Sequence, residues 1–299
     1  MYINHNKMAS TVANNLSSHY NDLSVSTQRL SSGLRVNGAA DDAAGLAIRE
    51  LMRADIAALN QGVRNANDAI SLLQTADGAL GVIDEKLIRM KELAEQAATG
   101  TYDSTQRLMI ESEYQAMASE ITRIANATDF NGVKLLNGNL SSNTHVGSTD
   151  EPTGKMKIHF GTLNDSAEDY YYIRIGSCTA SALGVGNQAK DPGANAKADA
   201  RTVSTQTAAQ KALVGINNAI VSKDKIRAHL GAMQNRLENT ITNLTTQSEN
   251  LQAAESRISD VDVATEMTNF VRNQILTQSA VAMLSQANNM PQMALQLIR

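Results

Sequence analysis

The sequence predicts a mainly α fold: an elongated antiparallel coiled-coil or helix-bundle rod with a small β-hairpin region, its N- and C-terminal helices paired. Three observations carry that expectation. From Asp42 to about Ala98 the chain reads as one uninterrupted helix, about 85 Å long and more than twice the width of a compact domain of this size. Element lengths form a palindrome, with shorter amphipathic helices at both termini, long helices inside them and strand-forming residues at the midpoint. Aromatic residues make up only 3% of the 299 residues and Trp is absent, so the bulky fillers of enclosed cores and ligand pockets are scarce.

The first helix is expected from about Asn4 to Leu34, with Val12, Leu16, Tyr20, Leu23, Thr27, Leu30 and Leu34 in steps of four and three. Its other face is Asn, Ser, His and Gln, so a lone copy would be marginal in water. After a break at Ser31 to Gly38, Asp41 or Asp42 is placed to cap the long helix. Apolar residues climb that helix as Ile48, Met52, Ile56, Leu59, Val63, Ala66, Ile70 and Leu73, then, after a slip of one step, as Ala76, Leu80, Ile83, Leu87, Met90 and Ala94. This is close to the coiled-coil period, and the glycines at 62, 78 and 81 are each expected to cost about 1 kcal/mol relative to alanine. Gly100 to Tyr102 ends the helix, Asp103 and Gln106 resemble a capping box, and a helix to Ala127 presents Ile110, Tyr114, Met117, Ile121 and Ile124. The short link makes an antiparallel hairpin.

From Phe130 to about Asp199 the pattern changes. Asn131-Gly132 and Asn137-Gly138 are turn signals, Lys157 to Phe160 and Tyr170 to Ile175 read as strands, and Gly184 to Asn195 reads as an exposed loop. Helical periodicity returns from about Thr202 to Ala254 through Leu213, Ile216, Ile220, Ile226, Leu230, Met233, Leu237, Ile241, Leu244 and Leu251. Ser259 and Asp262 then suggest a capping box for the last helix. That helix carries one seam through Val263, Met267, Phe270, Gln274, Thr277, Val281, Leu284, Asn288, Pro291, Leu295 and Ile298, and a second through Val271, Ile275 and Ala282. Two apolar seams need two neighbours. Copies of the chain are therefore expected to cover what the paired terminal helices cannot.

Little in the chain points to chemistry. The net charge of -4 gives no electrostatic reason for a nucleic-acid partner. No run of 18 apolar residues suggests membrane insertion, and the first residues lack the apolar core of a secretory signal; taken alone, that implies a cytoplasmic protein. Cys178, the single cysteine, allows no intramolecular disulfide and is expected to pack as a small hydrophobe. Histidines at 5, 19, 145, 159 and 229 show no metal-binding spacing, and Met156 stands where a phosphate loop ending at Lys155 requires Ser or Thr. Gly184 to Ala189 fits a permissive dinucleotide pattern without the surrounding βαβ units. Asp260 and Asp262 lie in no EF-hand loop. No nucleophile, base and oxyanion set emerges, so neither enzyme activity nor a cofactor or metal is expected. A soluble binding module or enzyme using the strand region is the remote alternative.

Several stretches are recognisable. Gln28 to Ile48 (QRLSSGLRVNGAADDAAGLAI) resembles the N-terminal signature of bacterial flagellins, and Phe130 to Gly138 (FNGVKLLNG) resembles that family's motif after the helical hairpin. Ala254 to Ile258, Glu266 to Thr268, and the tail from Asn273 to Arg299 are similar to its C-terminal end. The resemblance spans residues 1 to about 140 and 200 to 299 and is absent between them, where longer members carry outer domains. It implies a structural subunit that self-polymerises into the flagellar filament used for motility, exported unfolded without a cleaved signal peptide and assembled outside the cell. That reverses the cytoplasmic reading. Implied partners are the chain itself, the flagellar cap and junction proteins, an export chaperone and the flagellar secretion apparatus. Residues 1–41 and 256–299 would form an inner coiled-coil domain, 42–128 and 201–255 a rod domain, and 129–200 a small β region with a short variable loop. Self-assembly is assigned to Val12, Leu16, Leu23, Leu30, Met267, Phe270, Val281, Leu284, Leu295 and Ile298. The resemblance also places Arg89, Leu93 and Glu113 at positions by which many flagellins contact a host innate receptor, with Ile88 where glutamine is common. Leu295, Leu297 and Ile298 resemble a segment sensed by cytosolic immune receptors. The alternative within the superfamily is the hook-filament junction protein.

Overall fold

The computed structural model describes residues 6–142, 154–165, 168–186 and 201–297, with the side chains of 292 and 294–297 excepted. In chain order the elements are α1 (Lys7–Ser32), α2 (Ala43–Ala98), α3 (Ser104–Ala127), β1 (Asp129–Phe130), β2 (Val133–Lys134), β3 (Met156–His159), β4 (Tyr170–Ile173), α4 (Ala180–Leu183), α5 (Gln206–Ser259) and α6 (Val263–Leu297). They form two compact units, one of Met1–Ala57 with Ser248–Arg299 and one of Ala58–Gln247. The predicted mainly α fold, with terminal helices paired and small antiparallel hairpins between the long helices, is what the chain adopts.

Local signals set the helix ends. Asp42 Oδ1 accepts from the Gly45 amide at 2.9 Å, capping α2. At α3 the expected capping box closes, with the Asp103 amide donating to Gln106 Oε1 at 3.1 Å. Asn131 and Gly132 take φ of 50° and 82° between β1 and β2, as a two-residue hairpin turn demands.

The core of the 58–247 unit lies where α2, α3 and α5 meet. Leu73, Leu80, Ile83, Leu87 and Met90 of α2, Tyr114 and Ile121 of α3, and Ile216, Leu230 and Leu237 of α5 are buried together, with Leu135, Leu136 and Leu140 closing one side. Each large side chain removed from water contributes about 1.5–3 kcal/mol. A polar pin sits among them. Lys223 Nζ reaches Asp84 and Asp224 at 2.7 Å each, and Arg227 grips Asp77 at 2.6 and 3.2 Å. Burial pulls the Lys223 pKa down, but the hydrogen bonds its ammonium donates to Asp224 and Asp84 outweigh it and leave the pKa raised. Asp77 and Asp84 are seven residues apart on one face of α2, so the cations fix the register of α5 against it.

The structure corrects three sequence expectations. Ser259 is the last residue of α5, fully buried with a hydroxyl that has no partner among the described residues. Asp262 caps α6 alone, accepting from the Ala264 amide at 3.0 Å and the Thr265 hydroxyl at 2.7 Å. Ser259 still belongs to the last turn of α5, with its hydroxyl buried, so it does not cap the helix that follows. The strands stop short of Phe160 and Ile175, whose amides donate instead to Asp169 and Leu140 carbonyls. Val185 and Gly186, expected on an exposed loop, are buried after α4, a turn the sequence pattern did not signal. Residues 187–195 of that loop, with the end of the glycine pattern, lie outside the described residues.

Cys178 packs as expected, fully buried, and burial pushes its thiol up to about 11 against a lowering by Lys223. Tyr114 is raised too, first by burial and then by Glu111. Both groups, like Lys223, hold a proton more tightly folded than unfolded. Their stabilisation is therefore complete below the unfolded pKa and is lost as pH rises through the folded one, beginning with cysteine near about 8.5. The native thiol should stay inert to a disulfide reagent at pH 8. Thermal melts should fall between about pH 8.5 and 11, less steeply for Cys178→Ala; a thiol reacting at the free-cysteine rate would contradict the packing.

Candidate self-assembly surface

In the unit of Met1–Ala57 and Ser248–Arg299, α1 and α6 run antiparallel. Asn6 Nδ2 donates to the Ala287 carbonyl at 2.7 Å near one end of the pair, and Arg29 faces Glu266 at 3.8 Å near the other. Gly33, in the left-handed region at φ 73°, ends α1 and lets the chain turn back. Leu34 then bridges Asp260, with the Arg35 amide on the Ser259 carbonyl at 2.7 Å and the Val261 amide on the Gly33 carbonyl at 3.0 Å. Arg49, itself buried, donates to the Val36 carbonyl at 2.6 Å and ties this connection to α2.

The seam between the two helices is unusually polar. From α1 come Ala9, Val12, Leu16, His19, Leu23, Ser26 and Leu30; from α6 come Glu266, Phe270, Asn273, Thr277, Ala280, Leu284 and Ala287. Seven residues on each side thus include two polar ones on α1 and three on α6. Buried apolar area, and with it the stabilisation, is less than the same helices could provide. Tyr20 and Thr27, placed in this seam by the four-three pattern, are exposed, and His19 and Ser26 stand there instead. Steps of three and four from Leu16 reach either residue, and only the position of α6 decides.

Away from that seam α6 also exposes apolar side chains among its polar ones. Val263, Met267, Val271, Ile275, Leu276, Val281 and Met283 are exposed, Ile275 by 57% and Met283 by 58%. Among the residues assigned to assembly, Val12, Leu16, Leu23, Leu30, Phe270 and Leu284 are thus partly buried in the α1–α6 seam, while Met267 and Val281 face away from it. Leu295 lies in α6 with its side chain outside the description, and Ile298 lies outside the described residues. Met283, inside the apolar run Ala280 to Leu284, and Leu276, beside Ile275, were missed.

A second group sits on α2 and α3. Arg89 Nη2 meets Glu113 Oε1 at 2.8 Å and Arg89 Nη1 meets Glu92 Oε2 at 2.9 Å, which raises the arginine pKa, Glu113 most. These charges are exposed, beside an Ile88 that is 48% exposed, whereas Leu93 is buried in the core beneath them. The sequence assignment is therefore split: two residues share a surface and the third packs. Among the described residues no set of three or more His, Cys, Asp or Glu converges as a metal site, and no helix is long and apolar enough to cross a membrane.

Comparison with known proteins returns the same architecture. Residues 3–141 match the bacterial flagellin N-terminal helical region, and residues 213–298 the bacterial flagellin C-terminal helical region. The chain is 41% identical to a flagellin of Halalkalibacterium halodurans, over 100% of both chains. It is 40% identical to the flagellar filament 33 kDa core protein of Treponema phagedenis, again over 100% of both. A putative flagellar hook-associated protein from Vibrio parahaemolyticus superposes with a TM-score of 0.55 at 14% identity, over 74% of this chain and 100% of that one. At that identity the superposition shows a shared fold and does not separate hook from filament. Matched helical regions at both ends of the chain, together with relatives of equal length at about 40% identity, show that it belongs to the bacterial flagellin family.

Proposed function

We infer that the chain is the structural subunit of a bacterial flagellar filament, self-polymerising outside the cell. One observation carries the reading: α6 turns a polar-rich face to α1 and leaves the apolar side chains of Met267, Val271, Ile275, Val281 and Met283 in water. A free monomer gains nothing from that surface, and further copies gain by covering it. In the polymer, residues 1–41 and 256–299 would form the inner layer, and 42–128 with 201–255 the layer outside it. The junction-protein alternative has no observation in its favour. A subunit of this kind needs no catalytic step.

Seeding tests the proposal. Purified chain with short fragments of its own filaments should grow long tubes visible by electron microscopy, and a chain ending at Ile258 should remain soluble monomer. Growth by the truncated chain would remove α6 from the mechanism.

The finer partners belong to the same proposal. Export by the flagellar secretion apparatus with a chaperone, without cleavage, requires the extracellular protein to keep its N-terminus, which intact mass measures. Growth beneath a cap on a junction-protein base requires subunits to add at the distal end only. For host innate receptors, Arg89 and Glu113 supply the exposed contact and Leu93 supports it from below. The pair Arg89→Ala and Glu113→Ala should cut receptor signalling at least about tenfold, the loss of ~1.4 kcal/mol of binding, with filament growth intact. Unchanged signalling would move the contact elsewhere.

A further inference from the structure

We propose that the free edge of β3 is a docking site for a short extended peptide, which adds to it as a strand and carries a lysine or arginine for Asp68. Among the described residues β3 pairs only with β4. The Phe160 amide donates to the Asp169 carbonyl at 2.9 Å, one step beyond the pairing of His159 with Tyr170. Bonded and non-bonded pairs alternate along an antiparallel ladder. Met156 and Ile158 therefore bond to β4, whereas Lys157 and His159 turn their N–H and C=O groups to the free edge. One of those groups shows what the edge accepts. The His159 carbonyl takes the side-chain amide of Asn65 at 2.9 Å, where the N–H of an added strand would stand. The Lys157 N–H and C=O and the His159 N–H have no such partner among the described residues. An edge left open in this way is what strand addition uses.

The space beside that edge suits a segment with side chains. A cleft of about 400 Å³ lies between β3, the β1–β2 hairpin and α2, within the range of ligand pockets. Leu72, Phe130, Val133 and Met156 give it apolar walls, and Asp68 is the acid on it. Asp68 is exposed on α2 and makes no hydrogen bond or ion pair with the described residues. Arg64, one turn away, is held by Gln61 Oε1 at 2.6 and 3.0 Å. The other cationic heads nearby are engaged as well. Lys157 Nζ lies 3.7 Å from the Tyr170 ring centre and 3.0 Å from Asn164 Oδ1, and the His159 ring stacks on Tyr170 at 6.1 Å. What Lys157 and His159 have left for a ligand is backbone, and the unmatched charge is that of Asp68. Backbone groups repeating every two residues, at about 6.6 Å, match an extended peptide. The free carboxylate disfavours polyanions and selects a cation, so a segment in which a basic residue alternates with apolar ones satisfies both edge and cleft.

The site is independent of the filament reading, and its test uses the full, unpolymerised chain. Fluorescence anisotropy of a labelled hexapeptide alternating valine with arginine should show saturable binding, and hydrogen exchange should slow at the Lys157 and His159 amides. A peptide with glutamate in place of arginine should bind at least about tenfold more weakly. The arginine peptide with N-methylated backbone amides keeps every side chain but cannot donate to the Lys157 carbonyl, and should lose roughly tenfold. Asp68→Asn, an exposed change with no packing role, should weaken the arginine peptide about fivefold and leave a glutamine version unchanged. Equal binding of the arginine and glutamate peptides would remove Asp68 from the site. Full affinity of the N-methylated peptide would mean a groove that reads side chains without strand addition. Either result, or no binding of the arginine peptide, would overturn the proposal.

Discussion

Replacing Ile275 by Asp should stop seeded filament growth while leaving the monomer's melting temperature almost where it was. The side chain is 57% exposed and faces away from the α1–α6 seam, so the monomer loses no packing, and surface changes of this kind usually stay within about 0.5 kcal/mol. In the polymer the same position would be covered by another copy. A carboxylate buried there without a partner costs several kcal/mol. At about 1.4 kcal/mol per factor of ten, a penalty of ~4 kcal/mol raises the concentration needed for growth roughly a thousandfold. Leu284→Asp should also block growth, but it is a weaker test. Leu284 is half-buried against α1, so its loss would disturb the monomer and the polymer together. Ile275→Asp growing at the parental rate, with a normal melt, would mean that α6 does not make the contact.

That choice of residue could not have come from periodicity. Where a feature depends on residues a few positions apart, the sequence was sufficient: Asp42 before α2 and Asp103 with Gln106 before α3 announce their own hydrogen bonds. Where it depends on distant residues, pattern alone left it open. Apolar residues of α6 are spread around the helix among polar ones, so its two candidate seams were equally good by periodicity, and only the docking of α1 puts Thr277 and Leu284 inward and Ile275 outward. The α5 ladder shows an intermediate case. It passes from Ile220 to Ile226 with one step apparently missing, and Lys223 is the residue at that step. A lysine on an otherwise apolar ladder was a readable sign of a buried ion pair, although its partner Asp84 lies on another helix and was not. The Leu34 to Asp260 bridge and the Ser259 helix end belong with α6, since each joins parts of the chain more than 200 residues apart.

Glycine substitutions in α2 provide the sharpest contrast between local and long-range reasoning, and the largest expected change in stability. By helix propensity alone, Gly62, Gly78 and Gly81 are equivalent, and alanine at any of them should stabilise the helix by about 1 kcal/mol. At Gly78 the surroundings agree, because a Cβ there would meet nothing within 4 Å. Gly78→Ala should therefore raise the melting temperature by a few degrees, from about 1 kcal/mol in a domain near 200 residues. At Gly62 a Cβ would stand 2.0 Å from the Phe160 carbonyl oxygen and 2.8 Å from its carbon. Both belong to backbone, so no rotamer change relieves the clash. The chain leaving β3 lies directly on this helix, held by Asn65 Nδ2 donating to the His159 carbonyl at 2.9 Å and by the buried Phe160 ring against Tyr171 at 4.6 Å. Gly62→Ala must push that segment outward by more than an ångström, losing the Asn65 hydrogen bond and loosening Phe160. Overpacking of 1–3 kcal/mol together with a lost hydrogen bond of about 1 kcal/mol should outweigh the helix gain, for a net loss near ~2 kcal/mol. Chemical denaturation of the two variants checks the sign: if Gly62→Ala proves as stabilising as Gly78→Ala, the hairpin does not sit on α2 as described.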